Sequence, residues 1–259
     1  MTDEEVIILK NRKINDKYYN LTFRSKALAK GVEPGQFLNV QIEAGFDPFL
    51  RRPFSYYRVK DDEIEILYEI LGHGTGILSR KPAGSKLRVL GPLGKPFKRV
   101  KDKKAVKVLV AGGIGIPPLV FLSERYSADY LLIGAKSQAE VLPKRELAHA
   151  KAKILYATND GSFGVKGFVT VLLEKIIREN DPKRVFIQTC GPKPMMQAVI
   201  DMAACYGVSG EASIDEGMAC GVGACLGCMV ETDRGLLPSC TEGPVFGFHE
   251  IKQSLVETS

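Results

Sequence analysis

Leu109-Val-Ala-Gly-Gly-Ile-Gly-Ile-Pro-Pro-Leu119 decides how the second half of this chain is read. A run of buried-strand character ends in Gly112, Gly113 and Gly115, and Pro117 or Pro118 then offers a start for a helix. It is not a G-x-G-x-x-G fingerprint, because the third position after Gly115 is Pro118. The physical device is related: small residues let the backbone approach a pyrophosphate, and the helix N-terminus faces the anion. A plain strand-to-helix turn is the alternative for the glycine run alone.

Outward from this stretch, residues 130–134, 153–157 and 184–188 read as further short buried strands, with helical character between them, as at 169–178. That alternation predicts a parallel sheet covered by helices. From about residue 5 to 97 the pattern differs. β-type runs at 6–9, 37–42 and 64–70, punctuated by Pro34-Gly35 and Lys81-Pro-Ala-Gly84, predict an antiparallel barrel or sandwich. The charged linker at 100–104 marks a boundary. Past Tyr206 too little apolar sequence remains for an independent core, so bound metal would stabilise that segment. The expected division is therefore 1–100, 101–208 and 209–259.

Composition sets outer limits. The chain has 259 residues, 45% hydrophobic and 25% charged, as in ordinary globular proteins. Its formal charge of +6 is spread among nearly as many acids without a basic block, which argues against nucleic-acid binding. The longest apolar stretch, 106–122, is broken by three glycines and two prolines and is no bilayer span. The acidic N-terminus, Met-Thr-Asp-Glu-Glu, lacks a signal-peptide core. A soluble, cytoplasmic protein is expected.

The strongest chemical signal is Met218-Ala-Cys-Gly-Val-Gly-Ala-Cys-Leu-Gly-Cys228. Cys220, Cys225 and Cys228 form Cys-x4-Cys-x2-Cys, and Cys240 follows; this is the ligand spacing of plant-type 2Fe-2S ferredoxins. Gly221, Gly223 and Gly227 are expected to supply positive φ and close backbone N–H groups. Structural zinc is the alternative, although only Cys225 and Cys228 make the close pair such sites favour. Disulfides would need an oxidising compartment. Cys205, in an expected helix at 196–206, reads as a small buried hydrophobe. Cys190 reads equally as a thiol beside a nicotinamide or as a structural residue. His73, His149 and His249 share no ligand spacing, and Met195 and Met196 read as helix packing.

Three further stretches bear on phosphate and cofactor binding. In Arg52-Pro-Phe-Ser55 the arginine can pair with a pyrophosphate while ring and backbone lie against a flavin; an edge-strand arginine is the alternative. Gly72-His-Gly-Thr75-Gly76 can open a helix and present N–H groups and a hydroxyl to phosphate. Thr189-Cys-Gly-Pro-Lys-Pro-Met-Met-Gln197 ends a buried strand, which places Cys190 and Gly191 in the crevice at the strand ends, together with Gly112, Gly113 and Gly115.

The order Arg-Pro-x-Ser, Gly-x-Gly-Thr, Gly-Gly-Ile-Gly-x-x-Pro and Cys-Gly-Pro resembles the ferredoxin reductase family of flavoproteins. With the cysteine run and Glu242-Gly-Pro-Val-Phe246, nearly the whole chain resembles, within that family, the electron-transfer subunits of NAD-dependent (class 1B) dihydroorotate dehydrogenases. The resemblance implies a β-barrel holding FAD, an α/β domain receiving NAD(H), and a C-terminal 2Fe-2S module on Cys220, Cys225, Cys228 and Cys240. FAD contacts would fall on Arg52, Pro53, Phe54 and Ser55, on Leu67, Tyr68 and Glu69, and on Gly74 and Thr75. Relatives often carry Arg or Lys at the place of Glu69, which leaves its backbone as the contact. NAD rather than NADP follows from the resemblance alone.

The implied role is an electron relay. Nicotinamide moves electrons in pairs and a cluster takes one at a time, so a flavin must stand between them. The implied partner is an FMN-containing dihydroorotate dehydrogenase catalytic subunit of pyrimidine biosynthesis, in a heterotetramer of two relay and two catalytic subunits; no orotate site is visible on this chain. Three other readings remain. One is a reductase serving an oxygenase or a sulfide- or ferredoxin-linked enzyme, one a redox sensor, and one a zinc-stapled binding module.

Overall fold

The computed structural model describes residues 1–252. The N-terminal unit runs β1 (Thr2–Lys13), β2 (Tyr18–Arg24), a short helix α1 (Lys26–Ala29), β3 (Phe37–Gln41), β4 (Arg52–Ser55), β5 (Arg58–Lys60), β6 (Glu63–Glu69), helix α2 (His73–Arg80) and β7 (Lys86–Leu93). Its strands form one antiparallel sheet in the order β4-β3-β7-β1-β2-β6-β5. Alternation sets the faces: on β1, Val6 and Ile8 are buried while Ile7 and Leu9 face out. The sheet rolls until Phe54 on β4 meets Tyr68 on β6 edge to face at 5.8 Å, giving the expected barrel-type unit.

The second unit runs β8 (Val106–Gly112), α3 (Ile116–Tyr126), β9 (Tyr130–Ala135), β10 (Lys153–Thr158), β11 (Val165–Lys166), α4 (Thr170–Glu179), β12 (Val185–Cys190), α5 (Lys193–Tyr206) and β13 (Ser209–Ser213). After the cysteine loop come β14 (Met229–Thr232), β15 (Gly235–Pro238), α6 (Ser239–Glu242) and β16 (Val245–Gly247). The sheet order is β11-β10-β9-β8-β12-β13-β16, parallel throughout except for β16. Helix α3 begins at the prolines, as expected of a residue with no N–H to leave unbonded. Strand order reverses on either side of β8, so a crevice opens between the ends of β8 and β12. β13, at the head of the expected third unit, pairs with β12, and β16 returns to pair with β13. The cysteine loop is thus slung between two strands of the parallel sheet.

A polar seam joins barrel and α/β unit. Arg12 makes two 3.0 Å bonds to the Glu146 carboxylate, the Tyr57 hydroxyl donates to the Glu146 carbonyl, and Arg58 reaches Glu124 at 3.3 Å. Among the described residues no helix is long and apolar enough to cross a membrane.

One expectation fails. Cys205 is exposed, not buried, because the inward stripe of α5 runs through Met196, Val199 and Ala203 and residue 205 lies off it.

Candidate functional site

The three segments expected to carry chemistry meet at one cleft. Pro53, Phe54 and Ser55 of β4, Leu67 of β6, Gly115, Cys190 and Met218 of the cysteine run all line it. The cleft, open to solvent, offers about 650 Å³ of empty space.

Arg52 and Gly74, far apart in sequence, are neighbours. A Cβ at Gly74 would stand 3.0 Å from Arg52 Nε, so the guanidinium rests over the first turn of α2 because glycine leaves room for it. A fixed cation beside the free N–H groups of a helix start suits a pyrophosphate. The Thr75 hydroxyl is otherwise engaged, accepting from the N–H groups of Leu71 (2.9 Å) and Gly72 (3.2 Å) as the helix's own cap. Tyr68 is core: its hydroxyl donates to Asn11 Oδ1 at 2.9 Å and its ring stacks on Tyr19. Glu69 faces Lys17 Nζ at 3.7 Å within the barrel, which leaves its backbone for any flavin contact. Cation, helix start and apolar cleft together fit an FAD.

Close approach explains two of the glycines. A Cβ at Gly115 would fall 2.1 Å from the Cys190 carbonyl oxygen, and Gly191, at φ 158°, backs onto the Gly112 backbone. The ends of β8 and β12 are pressed together this way, with Cys190 between them. Burial, aided by the Asp215 charge and opposed by a hydrogen bond with Ser213, pushes the Cys190 thiol up to about 12. It is a neutral thiol at physiological pH. Asp215 is crowded by protein yet open to the cleft; that crowding, with the neighbouring Glu216, raises its carboxyl against the pull of Lys193.

A second crevice, with about 1100 Å³ of empty space, runs along the strand ends. It is lined by Gly112 and Gly113, by Lys136 and Asn159, and by Pro192 and Met195. Met195 therefore borders this crevice as well as packing its helix.

In the cysteine loop, Cys228 and Cys240 are buried against Phe37 and Leu93 of the barrel, while Cys225 is exposed. The Sγ of Cys220 accepts from the N–H groups of Val222 and Cys225, both at 3.4 Å, and the Sγ of Cys240 accepts from Gly223 N–H at 3.1 Å. Burial raises the Cys220 thiol, but these N–H groups more than reverse it and bring it down to about 6. Backbone donors aimed at sulfur are what thiolate ligands of an iron–sulfur cluster require. Gly221 (φ 72°) and Gly223 (φ 79°) take the left-handed region as expected, but the third such position is Leu226 (φ 56°) rather than Gly227. Among the described residues no three His, Cys, Asp or Glu side chains converge as a single-ion set. A two-iron cluster divides its thiolates between irons separated by sulfides, so the donor set fits it.

Sequence reasoning missed Ser213 and Asp215, because Ser-Gly-Glu-Ala-Ser at 209–213 lacks the β-branched and aromatic residues that announce a strand.

Residues 215–252 match the family model described as the iron-sulfur cluster binding domain of dihydroorotate dehydrogenase B. The chain is 36% identical over 250 residues (94% of this chain, 96% of the relative) to the dihydroorotate dehydrogenase B (NAD(+)) electron transfer subunit of Caldanaerobacter subterraneus subsp. tengcongensis. It is 34% identical over 262 residues (97% and 99%) to the protein of the same name from Bacillus velezensis. Among solved structures, a chain of an NADH-dependent reduced ferredoxin-NADP oxidoreductase superposes with TM-score 0.83 at 26% identity, covering 95% of this chain and 89% of that one. A ferredoxin NADP+ reductase from Neisseria gonorrhoeae with bound FAD and NADP superposes at 0.63 with 19% identity, covering 78% and 92%, which shows the shared fold. Near-full-length identity above one third, together with a cysteine loop that fits the matched cluster domain, means that this chain belongs to the family of dihydroorotate dehydrogenase B (NAD(+)) electron transfer subunits.

Proposed function

We propose that this chain carries electrons between NAD(H) and an FMN-containing dihydroorotate dehydrogenase catalytic subunit, in the cytoplasm, as half of a heterotetramer of two relay and two catalytic subunits. The observation that carries the reading is the single cleft walled by β4, by the β8 and β12 ends and by Met218 of the cysteine loop. Barrel, dinucleotide unit and cluster segment all border it, so a path through it is short. When bound, FAD and a 2Fe-2S cluster supply the conversion between electron pairs and single electrons.

The chain's own residues do the holding. Arg52 and the first turn of α2 around Gly74 and Thr75 take the pyrophosphate, while Pro53, Phe54, Ser55 and the strand at Leu67, Tyr68 and Glu69 line the ring side. Gly112, Gly113, Gly115 and Gly191 admit the dinucleotide backbone, and Cys190, a neutral thiol, presents a weak donor on the nicotinamide side. Cys220, Cys225, Cys228 and Cys240 bind the cluster. The working division is 1–100, 101–208 and 209–259, with β13 as the strand shared between the last two units.

The test is anaerobic purification of the tagged chain from its host, with assay of whatever co-purifies. An FMN-containing dihydroorotate dehydrogenase and NADH-dependent orotate reduction are expected. A chain that purifies with a different acceptor, and without that activity, overturns the pyrimidine assignment.

A further inference from the structure

Strand β3 divides its side chains between two faces. Leu38 and Val40 pack in the apolar interior of the barrel, so Phe37 and Asn39 stand on the opposite face. A polar side chain there is ordinarily wet, yet Asn39 is completely buried. The cysteine loop lies over it. Asn39 Nδ2 donates to the Ala219 carbonyl at 3.2 Å, one residue before Cys220. One residue after that cysteine, at Gly221 (φ 72°), a Cβ would stand 2.7 Å from the same Nδ2. A single amide of the barrel thus meets the chain on both sides of the first expected cluster ligand.

The other end of that amide is unpaired: Asn39 Oδ1 is buried and has no hydrogen-bond partner among the described residues. An unpaired buried acceptor keeps its full desolvation penalty, so asparagine is a poor choice for packing alone, and the bond to the loop is what it contributes here. Its place in the sheet matters as well. Asn39 lies directly across from Pro53 on β4, and Phe37 across from Ser55. Pro53, Ser55 and Phe37 line the cleft, and Phe37 also packs with Cys228 and Cys240. The strand pair that borders the cleft therefore also seats the cysteine loop. A second tether, Lys95 Nζ to Glu242 at 2.7 Å, lies near the last cysteine, but it is a half-exposed ion pair of the kind that holds little.

We infer that Asn39 is a positioning residue for the iron–sulfur cluster: its buried amide seats the arm at Ala219 and Gly221 on the β3–β4 pair and so fixes the separation between flavin and cluster. The inference rests on the relay reading above. A loop bonded to the strands that border the flavin cleft cannot drift from it, and a misplacement of about 1 Å is enough to cost roughly 100-fold where rate depends on geometry.

The experiment uses the full chain, purified anaerobically with FAD and cluster in place, as wild type, Asn39→Leu and Lys95→Met. Leucine keeps the branched shape of asparagine and removes the donor. Two rates are read: release of iron to bathophenanthroline disulfonate, and, in stopped flow, reduction of the cluster after NADH has bleached the flavin. In Asn39→Leu iron release is expected to be about 10- to 100-fold faster and cluster reduction slower by a similar factor, with flavin bleaching near the wild-type rate. Lys95→Met is expected to stay within about twofold of wild type throughout. Asn39→Ser, smaller than the native residue and too short to reach Ala219, carries the same expectation as Asn39→Leu should the leucine variant fail to retain FAD. Iron release or cluster reduction at the wild-type rate in both Asn39 variants, or an equal effect of Lys95→Met, overturns the inference and leaves the relay standing. A parallel fall in flavin bleaching also overturns it, by making Asn39 a residue of the barrel's own packing. A wild-type chain whose cluster is not reduced after NADH removes the relay reading and the inference with it.

Discussion

Gly115 shows how one missing methyl group holds a site together. Its φ of −77° is open to any residue, so only space excludes a side chain: the Cβ would meet the Cys190 backbone. Gly115→Ala must push β12 away from the start of α3, at a cost of about 1–3 kcal/mol by analogy with overpacked cores. The expected outcome in denaturant titration is a lower midpoint with an unchanged slope, and a weaker grip on NADH. An unchanged midpoint would mean that the two strand ends yield freely. The neighbouring Cys190 owes its neutral state to the same closeness, since burial disfavours the thiolate.

At the scale of elements, the seam between barrel and α/β unit turns on Glu146. Burial pushes its carboxyl up, and the bonds and charges of Arg12 and Arg145 more than reverse this, leaving it below the usual carboxylate range. A folded-state value below the unfolded one adds stability above the unfolded value, and that stability disappears as pH falls through the folded one. Glu146→Gln is therefore expected to cost about 1–3 kcal/mol at pH 7, as for a buried charged hydrogen bond that loses a partner. The gap between variant and wild type should begin to narrow as the pH falls below about 4, where an ordinary glutamate protonates, and close only below the lower value of the folded group. Urea unfolding at pH 7 and pH 3.5 measures it, and a gap that does not narrow at the lower pH would rule out the ion pair as its source. The strand elements follow the same logic of context: β13 is a strand because β12 on one side and β16 on the other complete its hydrogen bonds, whatever its composition.

Over the whole molecule, the proposed route has electrons enter at the strand-end crevice, pass the cleft and leave through the cysteine loop. Cys225 is the exposed member of the cysteine set, while Cys228 and Cys240 are packed into a small core shared with Phe37 and Leu93. Cys225→Ser is expected to lower transfer to the partner by at least about 100-fold, the size of effect typical of a lost metal-site group, without unfolding the barrel. NADH-dependent bleaching of the flavin should persist near the wild-type rate, followed by stopped-flow absorbance. Loss of both in a protein that still retains FAD would contradict the order of the relay.

Much of this was legible in the order of residues. Periodicity of two in the first hundred positions and buried runs alternating with helices thereafter determined a barrel and a parallel sheet, because local geometry repeats at fixed intervals. Spacing alone singled out Cys220, Cys225, Cys228 and Cys240, since three ligands on one short loop leave their mark in the chain. The tertiary structure alone decided the rest. It set the Arg52 guanidinium over Gly74, the Lys17 ammonium between Glu69 and Glu140, Asp215 beside Cys190, and the exposed face of α5 under Cys205. Each of these is a meeting of side chains distant in sequence or a choice of helix face, and a linear pattern holds no record of which surfaces the folded chain brings together.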